Sequence, residues 1–168
     1  MECYGTIYFK VDSSDSPLVG LVKERADSEY DLSVDDQEYG HGFMSMWFIG
    51  GGSTGDGIKG LMRELNVAGS KFVKGSVSGD EEPWCVLFSV DDGKVSAYEF
   101  GDGIYEYLSE CDEEDISRSE ELKEAHEKGP KEFFESKLNG WKEGIEALNT
   151  DHVTTVVEMI IDASEDMI

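Results

Sequence analysis

The chain is short of positive charge and of cysteine, and each shortage excludes something. Lys and Arg number 14 against 38 Asp and Glu, a formal net charge of −24. Binding DNA, RNA or an anionic membrane requires cations that replace released counterions, so the balance argues against all three as direct partners. The three cysteines, Cys3, Cys85 and Cys111, lie far apart with no Cys-x-x-Cys pair. That spacing argues against a disulfide framework or a zinc centre, and Cys3 and Cys85 are expected as small buried residues on strands. No apolar run approaches the roughly 18–20 residues that cross a bilayer. The opening Met-Glu-Cys-Tyr-Gly lacks the basic and apolar regions of a secretion signal, so a cytoplasmic protein is expected.

What is present suffices for a core. Hydrophobic residues make up 39% of the 168, and aromatics 11%. One domain with a C-terminal appendage is the expectation at this length. The acidity then needs a reason, because self-repulsion at this density destabilises a compact state. Adaptation to high salt fits poorly, since Lys outnumbers Arg eleven to three and the large apolar residues are not thinned. A surface that meets a basic partner explains the charge better.

Residues 2–11 alternate, with Cys3, Gly5, Ile7, Phe9 and Val11 on one side and Tyr4, Thr6, Tyr8 and Lys10 on the other, which predicts a strand. Ser16 and Pro17 then suit the start of a short helix ending near Ala26. Tyr30, Leu32 and Val34 suggest a second strand, followed by a polar turn over 35–42. An apolar run over 43–49 reads as a buried strand, paired with its predecessor as a hairpin. Ile58, Leu61, Met62 and Leu65 stand at helical spacing, the firmest local signal in the chain. Residues 71–77 suggest another strand, and 84–90 with 94–100 a hairpin about Asp91-Asp92-Gly93. The order β-α-β-β-α-β-β-β predicts an α+β fold. Its form would be an antiparallel sheet covered on a single face by two helices, ferredoxin-like or a related sandwich, with an acidic, mainly helical C-terminal extension.

Three parts are expected: an α+β core over 1–100, an acidic segment over 101–130, and 131–168 as a helix plus a strand or helix packing on the core. Over 99–127 there are twelve acidic residues and two basic ones. Beyond Gly129-Pro130, the residues Phe134, Leu138, Trp141, Ile145 and Leu148 share a helical face. The β-branched stretch 153–161 leaves strand and helix open.

Features that carry chemistry are sparse. Gly50-Gly51-Gly52-Ser53-Thr54-Gly55 satisfies G-x-G-x-x-G between a predicted strand and helix, the setting of a phosphate-binding loop. Asp56 would repel a phosphate there and suits a helix cap, no Gly-Lys-Ser/Thr follows, and the preceding strand reads as the second arm of a hairpin. His41, His126 and His152 lie at no recognisable catalytic spacing, and His41 between two glycines reads as a turn residue. Neither Asp12-Ser13-Ser14-Asp15 nor the run 112–115 fits a calcium loop. No catalytic residue, cofactor or dedicated metal site is therefore expected. The acidic run carries the functional expectation instead. Its partner-binding candidates are Glu106, Glu110, Asp112, Glu113, Glu114, Asp115, Glu120, Glu121 and Glu124, with Glu120 and Glu124 on one helical face. Trp84 and Trp141 are weighed as interface anchors and as core residues, with core the stronger reading.

In size, charge, acidic run and absence of catalytic motifs, the chain resembles the small acidic anti-restriction and anti-CRISPR proteins of phages and plasmids that imitate DNA. The resemblance is one of general character and covers no alignable motif. It implies a non-enzymatic cytoplasmic inhibitor that blocks the basic nucleic-acid-binding surface of a partner protein or complex. An immunity protein for a nuclease toxin is an alternative, and a small nucleotide-dependent enzyme using the 50–57 loop is another. Stoichiometry is left open, a homodimer included.

Overall fold

The computed structural model describes residues 1–81, 83–91, 93–101, 114 and 120–165. Six strands form one antiparallel sheet: β1 (Cys3–Lys10), β2 (Ser33–Gly40), β3 (Phe43–Gly50), β4 (Val73–Gly79), β5 (Cys85–Asp91) and β6 (Lys94–Phe100). Their spatial order is β2-β3-β1-β4-β5-β6. Helix α1 (Pro17–Tyr30) carries the chain from β1 to β2, and α2 (Thr54–Val67) carries it from β3 to β4. Each connection therefore steps across one intervening strand, so two β-α-β crossovers interleave and every neighbouring pair runs antiparallel.

Local chemistry sets these elements. Cys3, Ile7 and Phe9 of β1 face the first core, as the alternation requires. Ser16 accepts a hydrogen bond from the Leu18 amide at 3.3 Å, with Pro17 at the first helical position of α1. The helix runs past Ala26 to Tyr30 and closes on Asp31 in the left-handed region, where the Leu32 amide returns to the Ala26 carbonyl at 2.8 Å. Ile58, Leu61, Met62 and Leu65 of α2 are buried against Met44, Met46, Phe48, Val73 and Val77 of the sheet.

The β2–β3 hairpin differs from the sequence expectation. Residues 35–40 belong to strand β2, and the turn is only His41-Gly42, with φ of 55° and 80°. Positive φ at both central residues matches the twist of a two-residue hairpin turn, and Gly42 supplies one of them without a Cβ penalty. The polar composition hid the strand because β2 is an edge strand, exposed along nearly its whole length. A bulge between Val34 and Asp36 interrupts its register with β3.

The second difference is larger. Helices cover both faces of the sheet, where two on a single face were expected. Helix α3 (Glu120–Lys128) leads to α4 (Pro130–Lys142), and α5 (Asp151–Glu165) contains the ambiguous stretch 153–161. The turn Gly129-Pro130 separates α3 from α4 because proline suits a first helical position. Phe133, Phe134, Leu138 and Trp141 of α4, Ile145, and Val153, Val157, Ile160 and Ile161 of α5 form a second core with Tyr8, Cys85, Leu87 and Phe100. Ile145 and Leu148 lie beyond the end of α4, so the helical face read over 134–148 ends at Lys142. Each such burial contributes about 1.5–3 kcal/mol, and without it Leu87 and Phe100 would face water. The Trp141 indole N–H donates to the carbonyls of Gly75 and Phe88 at 3.1 and 3.0 Å, fixing α4 on β4 and β5. Trp141 is thus a core residue, and Trp84 is partly buried against the first core. Cys3 and Cys85 are free and buried on strands. No helix among the described residues is long and apolar enough to cross a membrane.

Candidate functional site

The second helical layer does not reach the β2 edge. It leaves two adjoining hollows on that face, of about 380 and 410 Å³, that share Glu38 and Asn149. The register explains their floor. Glu38 pairs with Ser45 and Ser45 with Tyr8, while Asp36 pairs with Trp47 and Trp47 with Thr6. These residues alternate to the face opposite the first core, so each row runs inward from carboxylate to hydroxyl or indole and then beneath the helices.

The far wall is the loop before α5. The Tyr8 hydroxyl donates to the Asn149 carbonyl at 3.0 Å, tying the loop to β1, and burial pushes that phenol up to about 12. The Asn149 side-chain oxygen accepts from the Asp151 amide at 3.1 Å, as a capping side chain does at a helix start. His152 stands edge-on to Tyr4, ring centroids 6.0 Å apart. Burial, with the charges of Glu2, Asp80 and Asp35, raises the Tyr4 phenol above its ordinary value.

The lining is one-signed. Asp35, Asp36, Glu38 and Asp151 contribute four carboxylates, and among the described residues no Lys or Arg lines either hollow. None of the four forms an ion pair with a described cation. Trp47 and Tyr4 add aromatic surface. Ser45 is only 4% exposed, and its hydroxyl has no hydrogen-bond partner among the described residues. An acidic groove with an aromatic floor and a spare buried hydroxyl suits a cation carried on an apolar or planar stem.

Most residues singled out from sequence lie elsewhere. Glu106, Glu110, Asp112, Glu113 and Asp115 fall outside the described residues. Glu114 is exposed. Glu120 and Glu124 lie on α3, where they pair with Lys123 at 3.2 Å and Lys128 at 2.8 Å. Hydrogen bonding to Lys128 holds the Glu124 carboxyl below its ordinary range. For Glu121 only the helical backbone is described. The structure therefore joins two of these carboxylates to cations of their own helix and brings none of the described ones into the groove.

The groove residues escaped sequence reasoning because they come from four separate stretches of chain. One signal was available. The tight unit Gly40-His41-Gly42 directly before an apolar strand demands a partner strand just upstream, which would have placed Asp36 and Glu38 beside Ser45 and Trp47.

The glycine-rich loop closes on itself, with the Thr54 hydroxyl donating to the Gly51 carbonyl at 2.7 Å. Ser53, not Asp56, occupies the cap position, and Asp56 lies in the first turn of α2, where its charge opposes an anion. Among the described residues no cluster of His, Cys, Asp and Glu has metal-site geometry. A third hollow, of about 420 Å³ beside α4, contains Lys74 and Lys137. The Lys137 ammonium stands 5.1 Å from the Phe133 ring centre and 5.5 Å from that of Tyr98, and burial lowers the Lys74 ammonium below its ordinary value. Comparison with protein-family models, with curated proteins and with solved structures gives no match.

Proposed function

We propose that the chain is a non-enzymatic cytoplasmic interaction protein that occupies the basic nucleic-acid-binding surface of a partner, in the manner of the acidic anti-CRISPR and anti-restriction proteins. The observation that carries this reading is the groove along β2, two adjoining hollows lined by four carboxylates together with Trp47 and Tyr4, with no lysine or arginine among the described residues of the lining. A net charge of −24 supports it, because the summed field steers a basic partner toward the acidic face. The interleaved order of β1–β4, with α1 and α2 on one face, supports a ferredoxin-like sandwich widened by β5 and β6. The acidic composition of 101–130 adds to the same long-range field.

The test is a salt titration of binding to candidate basic nucleases or interference complexes, with a DNA duplex as competitor. Affinity is expected to fall at least about tenfold between 50 and 500 mM salt, and the protein is expected to displace the duplex. Absence of binding, or binding unchanged at high salt, would refute the reading.

A further inference from the structure

The geometry points to a more specific occupant of the groove: an arginine side chain presented by an extended basic segment of the partner. This rests on the reading of the chain as a binder of basic protein surfaces, and it names the recognition element. Three observations converge on it. Charge complementarity comes from Asp36, Glu38 and Asp151, which are free of ion pairs with described cations. Shape comes from Trp47, whose indole lines the same hollow as Asp36 and Glu38. A planar guanidinium stacks on an indole face while its fork engages carboxylates, whereas a compact, strongly hydrated ammonium does this less well.

The third observation is independent of charge. Ser45 is 96% buried by its 4% exposure, lines the groove beneath Glu38, and has no hydrogen-bond partner among the described residues. A buried hydroxyl without a partner costs stability, and a guanidinium N–H entering from the Glu38 side would satisfy it. The segment carrying that arginine would lie in extended form against β2, an edge strand whose outer side pairs with no other strand among the described residues. The bulge between Val34 and Asp36 twists this edge, which favours a short segment over a long added strand.

The experiment uses the full chain, isotope-labelled, and a blocked heptapeptide with arginine alternating with threonine. Its lysine and citrulline counterparts serve as comparisons. The arginine peptide is expected to shift the Trp47 indole N–H and the Ser45 and Glu38 amides in a saturable manner. The neutral citrulline peptide should bind at least about tenfold more weakly, and the lysine peptide about threefold. Glu38→Gln should weaken the arginine peptide about fivefold, while Glu158→Gln, an exposed α5 carboxylate outside the groove, should change it less than twofold. Equal losses in the two variants, or shifts that avoid Trp47 and Ser45, would overturn the proposal. If the basic protein binds while the peptide leaves the groove unshifted, the groove assignment falls and the broader reading survives. Failure with both removes both.

Discussion

Replacing Trp141 by Phe tests whether the second helical layer is locked to the sheet. The indole is 5% exposed, and its N–H is shared between the Gly75 and Phe88 carbonyls at 3.1 and 3.0 Å. Phe has no donor, so both interactions are lost in a buried setting. At a net 0.5–1.5 kcal/mol per hydrogen bond, with one proton shared by two acceptors, this costs about 1–2 kcal/mol. The smaller ring also leaves unfilled space beside Tyr8, whose ring meets the indole edge-on at 5.9 Å. Lost apolar burial plus a residual cavity adds about 1–2 kcal/mol. The expected total is roughly 2–4 kcal/mol, a melting-point drop of about 5–12 °C for a domain of this size. Urea denaturation followed by far-UV circular dichroism measures it without depending on tryptophan fluorescence. Trp84→Phe is the comparison: this half-buried residue donates no hydrogen bond among those described and should cost less than about 1 kcal/mol. A Trp141→Phe cost below about 1 kcal/mol would refute the docking of α4. A separate early transition for the C-terminal helices in the unsubstituted protein would refute cooperative unfolding of the two cores.

Two further outcomes follow from buried groups and from backbone geometry. Burial pushes the Cys85 thiol from 9.0 and the Tyr8 phenol from 10.0 each up to about 12, so the fold retains protons that the unfolded chain releases. Their stabilising effect is complete below pH 9 and is lost as pH rises toward 12, a loss of about 3–4 kcal/mol by pH 11. Urea midpoints at pH 8 and 11 check this; Cys85→Ala should flatten the part between pH 9 and 10, and a profile already flat in the unsubstituted protein would refute the buried protons. Two neighbouring glycines should respond with opposite signs. Gly140 lies within α4, with open space where a Cβ would stand, so Gly140→Ala is expected to stabilise by about 0.5–1 kcal/mol. Gly144 has φ of 87°, and a Cβ there would stand 2.5 Å from the Phe72 ring, so Gly144→Ala is expected to destabilise by about 1–3 kcal/mol. Melting curves of the two variants test the pair, and shifts of the same sign would contradict the backbone geometry.

The amino-acid pattern alone determined the parts whose burial is one-sided and local. The alternation of β1 placed Cys3, Ile7 and Phe9 together because a strand has a period of two. The spacing of Ile58, Leu61, Met62 and Leu65 placed them on one face of α2 because a helix turns every 3.6 residues. The acidity was legible too, as a sum over the chain and as a run over 99–127. Tertiary structure decided the rest. An edge strand exposed on both sides carries no alternation, so Asp36 and Glu38 read as turn residues until β3 paired with them. The apolar face of a C-terminal helix does not say which side of a sheet it will cover. That was set by the first face being filled by α1 and α2, and by the Trp141 and Tyr8 hydrogen bonds that fasten the second layer. The groove exists only because that layer stops short of β2. It gathers Tyr4, Glu38, Trp47 and Asn149 by strand register and chain return, which act between residues too far apart in sequence for any local pattern to record.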